Sequence, residues 1–205
     1  MLNVPLLPHT LEDMSTARTH FREALSLLSN LIEDEAFISS VDSASKVLSS
    51  CLQSGGKILS CGNGGSMSDA MHFAEELSGK FREDRPAYAA IALSSPAHIT
   101  CVANDYGFDK IFSRGVEALG CQGDVLLAIS TSGNSSNVLE AARAAKSKGM
   151  KVLALTGGDG GELASLSDYE IRIPWEGYSD RVQEMHIKCI HAMIDSIERS
   201  FISFS

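Results

Sequence analysis

The sequence predicts an α/β protein in which a parallel sheet is covered by helices on both faces. Three observations predict this class: helical periodicity near the start of the chain, five β-prone runs separated by helical stretches from Gly55 onward, and a long amphipathic segment at the end. The 205 residues, 44% of them hydrophobic, are enough for one buried core. We therefore expect a single domain over residues 1–205, with a core from about residue 37 to 200.

The N-terminal segment, residues 10–54, has apolar side chains at helical intervals. The acidic run Glu33-Asp34-Glu35 interrupts that pattern once. Two helices are therefore expected before the first strand. At the other end of the chain, the segment from Asp180 to about Ser203 is predicted to form one long helix with an apolar side.

The five predicted strands lie between these helical segments and alternate with further helices, so we expect them all to run parallel. They are Lys57–Cys61, Ala87–Leu93, Asp124–Ser130, Lys151–Thr156 and Tyr169–Ile173. In an open parallel sheet, ligands bind beyond the carboxyl ends of the strands, where loops lead into helices. Two such loops, after the first and third strands, are unusually rich in Gly, Ser and Asn.

The charge distribution argues against nucleic acid as a partner. The formal net charge is -9 and no block of Lys or Arg occurs, whereas binding to a phosphate backbone depends on clustered basic residues. A small phosphate ester remains a suitable ligand. Backbone N–H groups, hydroxyls and a helix N-terminus bind phosphate without a net positive charge.

The cysteines and the apolar runs indicate a cytoplasmic protein without a membrane partner. The 5 cysteines form an odd set without a C-x-x-C pair, which is typical of reduced thiols, and we expect most of them in the core. The longest clear apolar run, Ala87–Leu93, is much shorter than the roughly 20 residues of a membrane span. Residues 1–10 lack the basic stretch of a secretory signal.

The loop after the first strand, Cys61–Ser66, contains three glycines that permit tight turns and leave room for a ligand. Ser66 is expected to cap the helix that follows. A dinucleotide fingerprint would need glycine at position 67, where Met67 stands, and neither Gly-Lys pair is followed by the Ser or Thr of a P-loop. Taken alone, the loop is explained equally well as a simple turn and as a ligand-binding loop.

The loop after the third strand offers four hydroxyl groups just before a helix predicted from about Ser136 to Lys148. They belong to Ser130, Thr131, Ser132 and Ser135. One hydroxyl is enough to cap a helix, whereas several hydroxyls with free N–H groups at the positive end of a helix suit a dianionic phosphate. Phosphate binding is therefore favoured over capping alone.

Two predicted helices bear candidate catalytic or metal-binding side chains. His72 and Glu76 lie four residues apart and share one face of the helix after the glycine loop. On the C-terminal helix, Gln183 and His191 are two turns apart, with His186 one turn from Gln183. Each pattern is unspecific by itself, because an i,i+4 His/Glu pair is more often a solvated pair and a lone His on an apolar helix is usually structural. The sequence alone does not bring the two helices together.

Taken together, these motifs resemble the phosphoheptose isomerase branch of the sugar isomerase (SIS) family. The resemblance covers the chain from about residue 15 to 200, and it is specific because several long motifs occur in the right order. The motifs are Ser60–Ser66, Asp69–Leu77, Asn104-Asp105, Ile129–Ser135 and Gln183–Lys188.

The resemblance implies a flavodoxin-like, doubly wound five-stranded sheet and a homotetramer. It implies conversion of sedoheptulose 7-phosphate to D-glycero-D-manno-heptose 7-phosphate, for the heptose of bacterial lipopolysaccharide. It also implies one zinc ion per subunit, held by His72, Glu76, Gln183 and His191, and phosphate binding by the four hydroxyls. The substrate-binding residues implied in this way are Asn63, Gly64, Gly65, Ser66, Glu76, Asn104, Asp105, Ser130, Thr131, Ser132, Ser135 and Gln183.

Isomerisation of this kind needs a base beside a carbonyl and an acid for the enediol oxygens. Glu76 is assigned as the base and His191 as the partner acid. A carboxylate held tightly by zinc is a poorer base, so either Glu76 leaves the metal during turnover or the metal is chiefly organisational. Two positions depart from the family pattern: Lys80 replaces an Arg and lacks its planar fork, and Met67-Ser68 replaces a His-Cys type of pair.

A second class of function exists in the same family. Some paralogues bind a bacterial replication initiator without catalysis, and other members sense sugar phosphates in regulators. The initiator-binding paralogues retain the fold and the glycine loop but lose the counterparts of Glu76 and His191. Both residues are present here, which favours the enzyme.

Overall fold

Helices and strands alternate along residues 15–202, which are the residues that the computed structural model describes. The helices are α1 (Thr16–Glu33), α2 (Glu35–Gln53), α3 (Gly65–Ser78), α4 (Pro96–Tyr106), α5 (Ser113–Leu119), α6 (Ser136–Ser147), α7 (Gly161–Leu166) and α8 (Ser179–Ile202), with a 3-10 turn at Phe108–Lys110. The strands are β1 (Ile58–Gly62), β2 (Ala90–Ala92), β3 (Val125–Ser130), β4 (Lys151–Gly157) and β5 (Tyr169–Ile173). Within this range, no helix combines the length and the hydropathy needed to cross a membrane.

The break between the first two helices lies where the acidic run predicted it. The Asp34 carboxylate accepts hydrogen bonds from the N–H groups of Ala36 and Phe37 at 2.9 and 3.2 Å, so that it ends α1 and caps α2. The predicted helix start at residue 10 and the predicted end of the last helix at Ser203 lie outside the described residues.

The five strands are all parallel and lie in the order β2-β1-β3-β4-β5. This is the flavodoxin-like, doubly wound order, and its topological switch point lies between β1 and β3. The predicted strand bounds agree to within one residue except at β2. That edge strand spans only Ala90–Ala92, because the N–H of Tyr88 bonds to the carbonyl of Leu77 at 3.0 Å and turns the preceding chain away from β1.

Each face of the sheet packs against its own set of helices. Ile58 and Leu127 point to one side and pack with α1, α2, α3 and α8. Leu59 and Leu126 point to the other side and pack with α4, α5, α6 and α7. Both faces are therefore covered, as the sequence predicts. The same arrangement puts α3 and α8 on one face, where their polar side chains can meet.

The five cysteines are free thiols, as expected. Cys51, Cys61 and Cys189 are buried, whereas Cys101 and Cys121 are exposed. Burial raises the pKa of the Cys61 thiol to about 12, so this cysteine is an unreactive part of the core.

Candidate active site

The glycine loop joins β1 to α3 by one tight turn. A side chain at Gly62 would lie 2.8 Å from the backbone of Ser66, and Gly64 has a φ of +55°, which favours glycine. Gly64 directly precedes the helix, and Ser66 is buried in the first turn. The expectation that Ser66 caps α3 is therefore wrong, because the turn at Gly64 starts the helix before Ser66 is reached.

The hydroxyl loop, Ser130–Ser135, leads from β3 into α6. Ser135 occupies the N-cap position, but its side chain makes no capping hydrogen bond. Its hydroxyl oxygen instead accepts a hydrogen bond from the Ser130 hydroxyl at 3.1 Å. Ser132 Oγ accepts one from the N–H of Asn134 at 3.2 Å. The hydroxyls thus stand beside the positive end of α6 without capping it, an arrangement that suits an anion.

A pair of asparagines connects the two loops. Asn63 of the glycine loop and Asn137 in the first turn of α6 exchange hydrogen bonds from Nδ2 to Oδ1, each 2.9 Å long. The two loops start side by side, because the register of β1 and β3 pairs Gly62 with Ile129. Sequence reasoning did not single out Asn137, although it lies only two residues beyond the hydroxyl loop.

One carboxylate and two imidazoles meet between α3 and α8. His72 Nε2 lies 3.0 Å from Glu76 Oε1, and His191 Nε2 lies 3.8 Å from Glu76 Oε2. The two Nε2 atoms are 3.4 Å apart. The Glu76 side chain is 13% exposed, whereas each imidazole is 41% exposed. The structure thus brings together three of the four predicted metal ligands, and we call these three residues the His–Glu–His cluster.

The His–Glu–His cluster has the donor set and the spacing of a metal site. One ligand atom from each residue lies within 4.8 Å of the others. Glu76 Oε2 is buried without a hydrogen-bond partner, which is costly for a carboxylate unless a cation or a donor completes it. Two nitrogen ligands of a tetrahedral zinc, each about 2.0–2.1 Å from the metal, are about 3.4 Å apart. The two imidazoles match that separation.

The first turns of α8 approach the glycine loop. A Cβ atom on Gly65 would lie 2.6 Å from Gln183 Oε1, so the Gln183 amide packs directly on the start of α3. Gln183 is eight residues before His191, which is about 12 Å along the helix axis. Gln183 thus lies beside the glycine loop, about two turns before His191 on the same helix, and its role as a fourth ligand stays a prediction.

His186 faces the sheet and not the site. It is fully buried, and its Nε2 lies 3.0 Å from the carbonyl oxygen of Thr156. Burial lowers the pKa of His186 to about 4, so the imidazole is neutral at physiological pH. His186 is therefore a structural residue, as is usual for a histidine on an apolar helix.

Phe81 covers one side of the His–Glu–His cluster. Its ring stacks on that of His191, with the ring centroids 5.8 Å apart and the planes inclined by 24°. Phe81 belongs to the segment 79–89 that joins α3 to β2. Sequence reasoning missed it, because no local pattern shows which helix a loop aromatic will contact.

The remaining predicted substrate residues lie on the surface at the end of α4. Asn104 and Asp105 are exposed, and Asn104 Nδ2 donates to Asp105 Oδ1 at 2.7 Å. Asp109, just beyond them, accepts a hydrogen bond from Ser136 Oγ at 2.5 Å, so the chain after α4 lies beside the start of α6. Their contact with a sugar stays a prediction.

The fold and the loops at its switch point define the class of the protein. The family model of the SIS domain matches residues 19–157, which is more than half of the chain. The phosphoheptose isomerase of Pectobacterium atrosepticum is 57% identical over 182 residues, which make up 89% of this chain and 94% of that protein.

Two solved structures agree with this similarity. The phosphoheptose isomerase GmhA from Neisseria gonorrhoeae superimposes with a TM-score of 0.83 at 43% identity, and covers 89% of this chain and 97% of its own. A phosphoheptose isomerase from Francisella tularensis has a TM-score of 0.85 at 39% identity, with 91% and 100% covered. The chain belongs to the phosphoheptose isomerase family of SIS-domain proteins, which confirms the resemblance stated above.

Proposed function

We propose that this chain is an aldose/ketose isomerase that converts sedoheptulose 7-phosphate to D-glycero-D-manno-heptose 7-phosphate, for the heptose of surface polysaccharide such as lipopolysaccharide. The observation that supports the proposal most directly is the His–Glu–His cluster, in which Glu76 Oε2 has no hydrogen-bond partner. Aldose/ketose isomerisation needs a base and an acid that reach the same pair of substrate carbons and their oxygens, and Glu76 and His191, whose polar atoms lie 3.8 Å apart, can do so. The relatives named above carry the corresponding name.

The substrate would be bound along α3. The four hydroxyls of the hydroxyl loop hold the phosphate, while Asn63, Gly64, Gly65, Ser66 and Gln183 line the sugar at the start of the helix, with Asn104 and Asp105 beside it. His72 lies seven residues beyond Gly65, about 10 Å along the axis of α3. An extended seven-carbon sugar phosphate has a comparable length, so its carbonyl end can reach the His–Glu–His cluster.

The reaction moves one carbon-bound proton and one hydroxyl proton. Glu76 takes the proton from C1 of the ketose, and the C1–H electron pair forms the C1=C2 bond of an enediol as O2 receives a proton from His191. The proton on Glu76 exchanges with solvent while the enediol is bound, and delivery of a proton from Glu76 to C2 with loss of the O1 proton to His191 then gives the aldose. Each residue ends the cycle in the protonation state in which it began.

The cofactor proposed here is one zinc ion per chain, held by His72, Glu76 and His191 with Gln183 as the predicted fourth donor. Zinc, when bound, polarises sugar oxygens as a Lewis acid. The protein orients the side chains that would hold the zinc. His72 holds Glu76 Oε1 at 3.0 Å, and Phe81 stacks on the ring of His191.

The assembly proposed here is a homotetramer, and the proposed location is the cytoplasm. The support for an oligomer is the outer face of α1, where Phe21 and Leu25 are 78% and 63% exposed. Exposed apolar surface of this kind usually marks a protein interface. A closed, symmetric assembly would bury the same face of every copy.

The decisive experiment compares Glu76→Gln with Glu75→Gln, its exposed neighbour on the same helix. Glu76→Gln keeps the size and one oxygen of the side chain but removes the base, so turnover of sedoheptulose 7-phosphate should fall by about 100- to 10,000-fold. His191→Asn should be similarly disabled, while Glu75→Gln should resemble the wild type. In deuterium oxide, the aldose formed by the wild type should carry solvent deuterium at C2.

Retention of the substrate hydrogen at C2 would exclude a solvent-exchanging enediol. A wild-type protein with bound zinc that neither isomerises nor exchanges any seven- or six-carbon sugar phosphate would defeat the isomerase proposal. In that case, a non-catalytic role in binding a replication initiator or sensing a sugar phosphate would replace it.

A further inference from the structure

Arg85 is a largely buried cation at the junction of α3 and α8. Its side chain is 9% exposed, and that of its partner Glu198 is 8% exposed. Arg85 Nε donates to Glu198 Oε1 at 2.8 Å, while Nη2 and Nη1 donate to the carbonyl oxygens of Glu76 and Leu77 at 2.6 and 2.7 Å. The three nitrogens of one guanidinium thus bind the end of α3 and the side of α8 together.

Two of the carbonyls that Arg85 binds belong to the last turn of α3, where a helix has no N–H groups of its own left to satisfy them. A cation at this position also interacts favourably with the negative end of the helix dipole. One of the carbonyls is that of Glu76 itself. Arg85 therefore fixes the backbone from which the carboxylate of the His–Glu–His cluster projects.

Glu198 connects the same guanidinium to the helix that bears His191. It lies seven residues after His191, which is two turns of α8. The ring of Tyr88 limits movement on another side, since Arg85 Cζ lies 4.4 Å from its centroid. The guanidinium of Arg85 thus connects the backbone of Glu76 on α3 to a side chain of α8.

We propose that Arg85, held by Glu198, is a positioning residue that sets the spacing of α3 and α8 at which Glu76 and His191 act together. This rests on the proposed function, because it presumes that the two residues form a metal-binding and proton-transfer centre. Arg suits the role because its planar fork reaches several acceptors at once, whereas Lys offers a single compact charge. Loss of a group that orients metal ligands typically costs about 10- to 100-fold in metal affinity or activity.

A neighbouring ion pair provides a matched control. Arg82 Nη1 lies 2.8 Å from Asp195 Oδ1, and it joins the same segment to the same helix. Its side chain is 58% exposed, and its guanidinium also lies 5.0 Å from the centroid of Phe81, a cation–π contact that the ammonium group of Arg82→Lys can keep. An exposed pair of this kind contributes little to stability, so Arg82→Lys reports the effect of an Arg-to-Lys change without loss of the buried junction.

The test uses the full chain as wild type, Arg85→Lys, Glu198→Gln and Arg82→Lys. Zinc affinity is measured by competition with a chromophoric chelator, and kcat, KM and the melting temperature are measured alongside. Arg85→Lys and Glu198→Gln should bind zinc about 10- to 100-fold more weakly and lose a similar factor in kcat. KM should change little, because the phosphate is held by the hydroxyl loop. Arg82→Lys should resemble the wild type.

A purely structural role would lower the melting temperature and leave zinc affinity and kcat of the folded protein unchanged, and this result would overturn the proposal. Equal losses in Arg82→Lys and Arg85→Lys would overturn it as well. If Arg85→Lys does not fold, the zinc affinity and kcat of Glu198→Gln test the proposal instead. This variant should fold, because Gln keeps the shape of Glu and one acceptor oxygen. A wild type that neither binds zinc nor isomerises defeats the proposed function instead.

Discussion

Asn63 and Asn137 exchange two side-chain hydrogen bonds, each 2.9 Å long, across the switch point between β1 and β3. Each amide donates one hydrogen bond to the other and accepts one from it. Asn137 is only 1% exposed, so water cannot readily replace a lost partner. The pair therefore keeps the glycine loop and the hydroxyl loop at a fixed separation, and with them the proposed sugar and phosphate sites.

Removal of either asparagine should loosen this connection. Asn63→Ala leaves the buried Asn137 amide without its partner, so the free energy of unfolding should fall by about 1–3 kcal/mol. Asn137→Ala should cost less, because water can reach the half-buried Asn63 amide, and the double variant should be less destabilised than the sum of the two, with a coupling of about 0.5–3 kcal/mol. Urea unfolding of the four proteins measures this, and strict additivity would show that the two amides do not act as a pair.

The hydroxyl loop should determine the affinity for phosphate. Ser130→Ala with Ser132→Ala removes two hydrogen bonds to a charged group, each worth about 1.5–3 kcal/mol, so the KM for sedoheptulose 7-phosphate should rise steeply. Inorganic phosphate should compete with the substrate in the wild type and much less in the double variant. Ser136→Ala is the control, because that hydroxyl is used by Asp109. Unchanged kinetics, with no inhibition by phosphate, would leave the loop without this role.

The His–Glu–His cluster should hold one zinc ion per chain. Elemental analysis of protein without a histidine tag, loaded with zinc and then freed of excess metal, should give a ratio near one. His72→Ala should lose most of this zinc, because two donors remain where three converge. His98→Ala should keep it, since His98 lies on α4 with its Nε2 near the carbonyl oxygen of Ile111. A His72 variant as rich in zinc as the wild type would place the metal elsewhere.

The exposed apolar face of α1 should be buried in an oligomer. Light scattering at micromolar concentration should give a mass several times that of one chain, with four copies as the proposed number. Charged residues on this face, as in Phe21→Glu with Leu25→Lys, should yield smaller species, because desolvating a charge opposes association. Ser39→Glu on the exposed side of α2 serves as the control. A monomeric wild type contradicts the prediction.

Stability should depend on pH through His186. Burial lowers its folded pKa from 6.5 to about 4, so between these values the unfolded chain binds a proton that the folded chain does not. Stability is therefore lost as pH falls below 6.5, by about 2 kcal/mol at pH 5. His186→Gln removes this titration and keeps an N–H that can donate to Thr156, so its stability should fall less between pH 7 and pH 5.

Asp69 acts in the opposite sense, which is why the variant and the wild type must be compared at each pH. Desolvation raises the pKa of Asp69 from 3.8 to about 6, so the folded chain holds this proton more tightly and the associated stability is lost as pH rises through that range. The contribution is common to both proteins and cancels in the difference. If the free energy of unfolding falls by the same amount in both proteins between pH 7 and pH 5, then His186 is not the source of the pH dependence.

The element order, the parallel strands and the site loops could be predicted because they depend on local patterns. The break at Asp34 needs only a capping carboxylate beside two apolar helical repeats, and His72 and Glu76 share a face because the helical period is local. The prediction that Ser66 caps α3 was wrong for a local reason as well. The positive φ of Gly64 lets the helix begin before Ser66.

The sequence by itself thus determined the fold class, the family, and the identity of the three side chains that make the His–Glu–His cluster. Only the tertiary structure decided that these side chains meet. His72 and His191 are 119 residues apart in the chain, and they converge because the strand order puts α3 and α8 on one face of the sheet. The Asn63–Asn137 pair and the Arg85 junction have the same origin, because contacts between distant segments depend on topology and packing that no local period encodes.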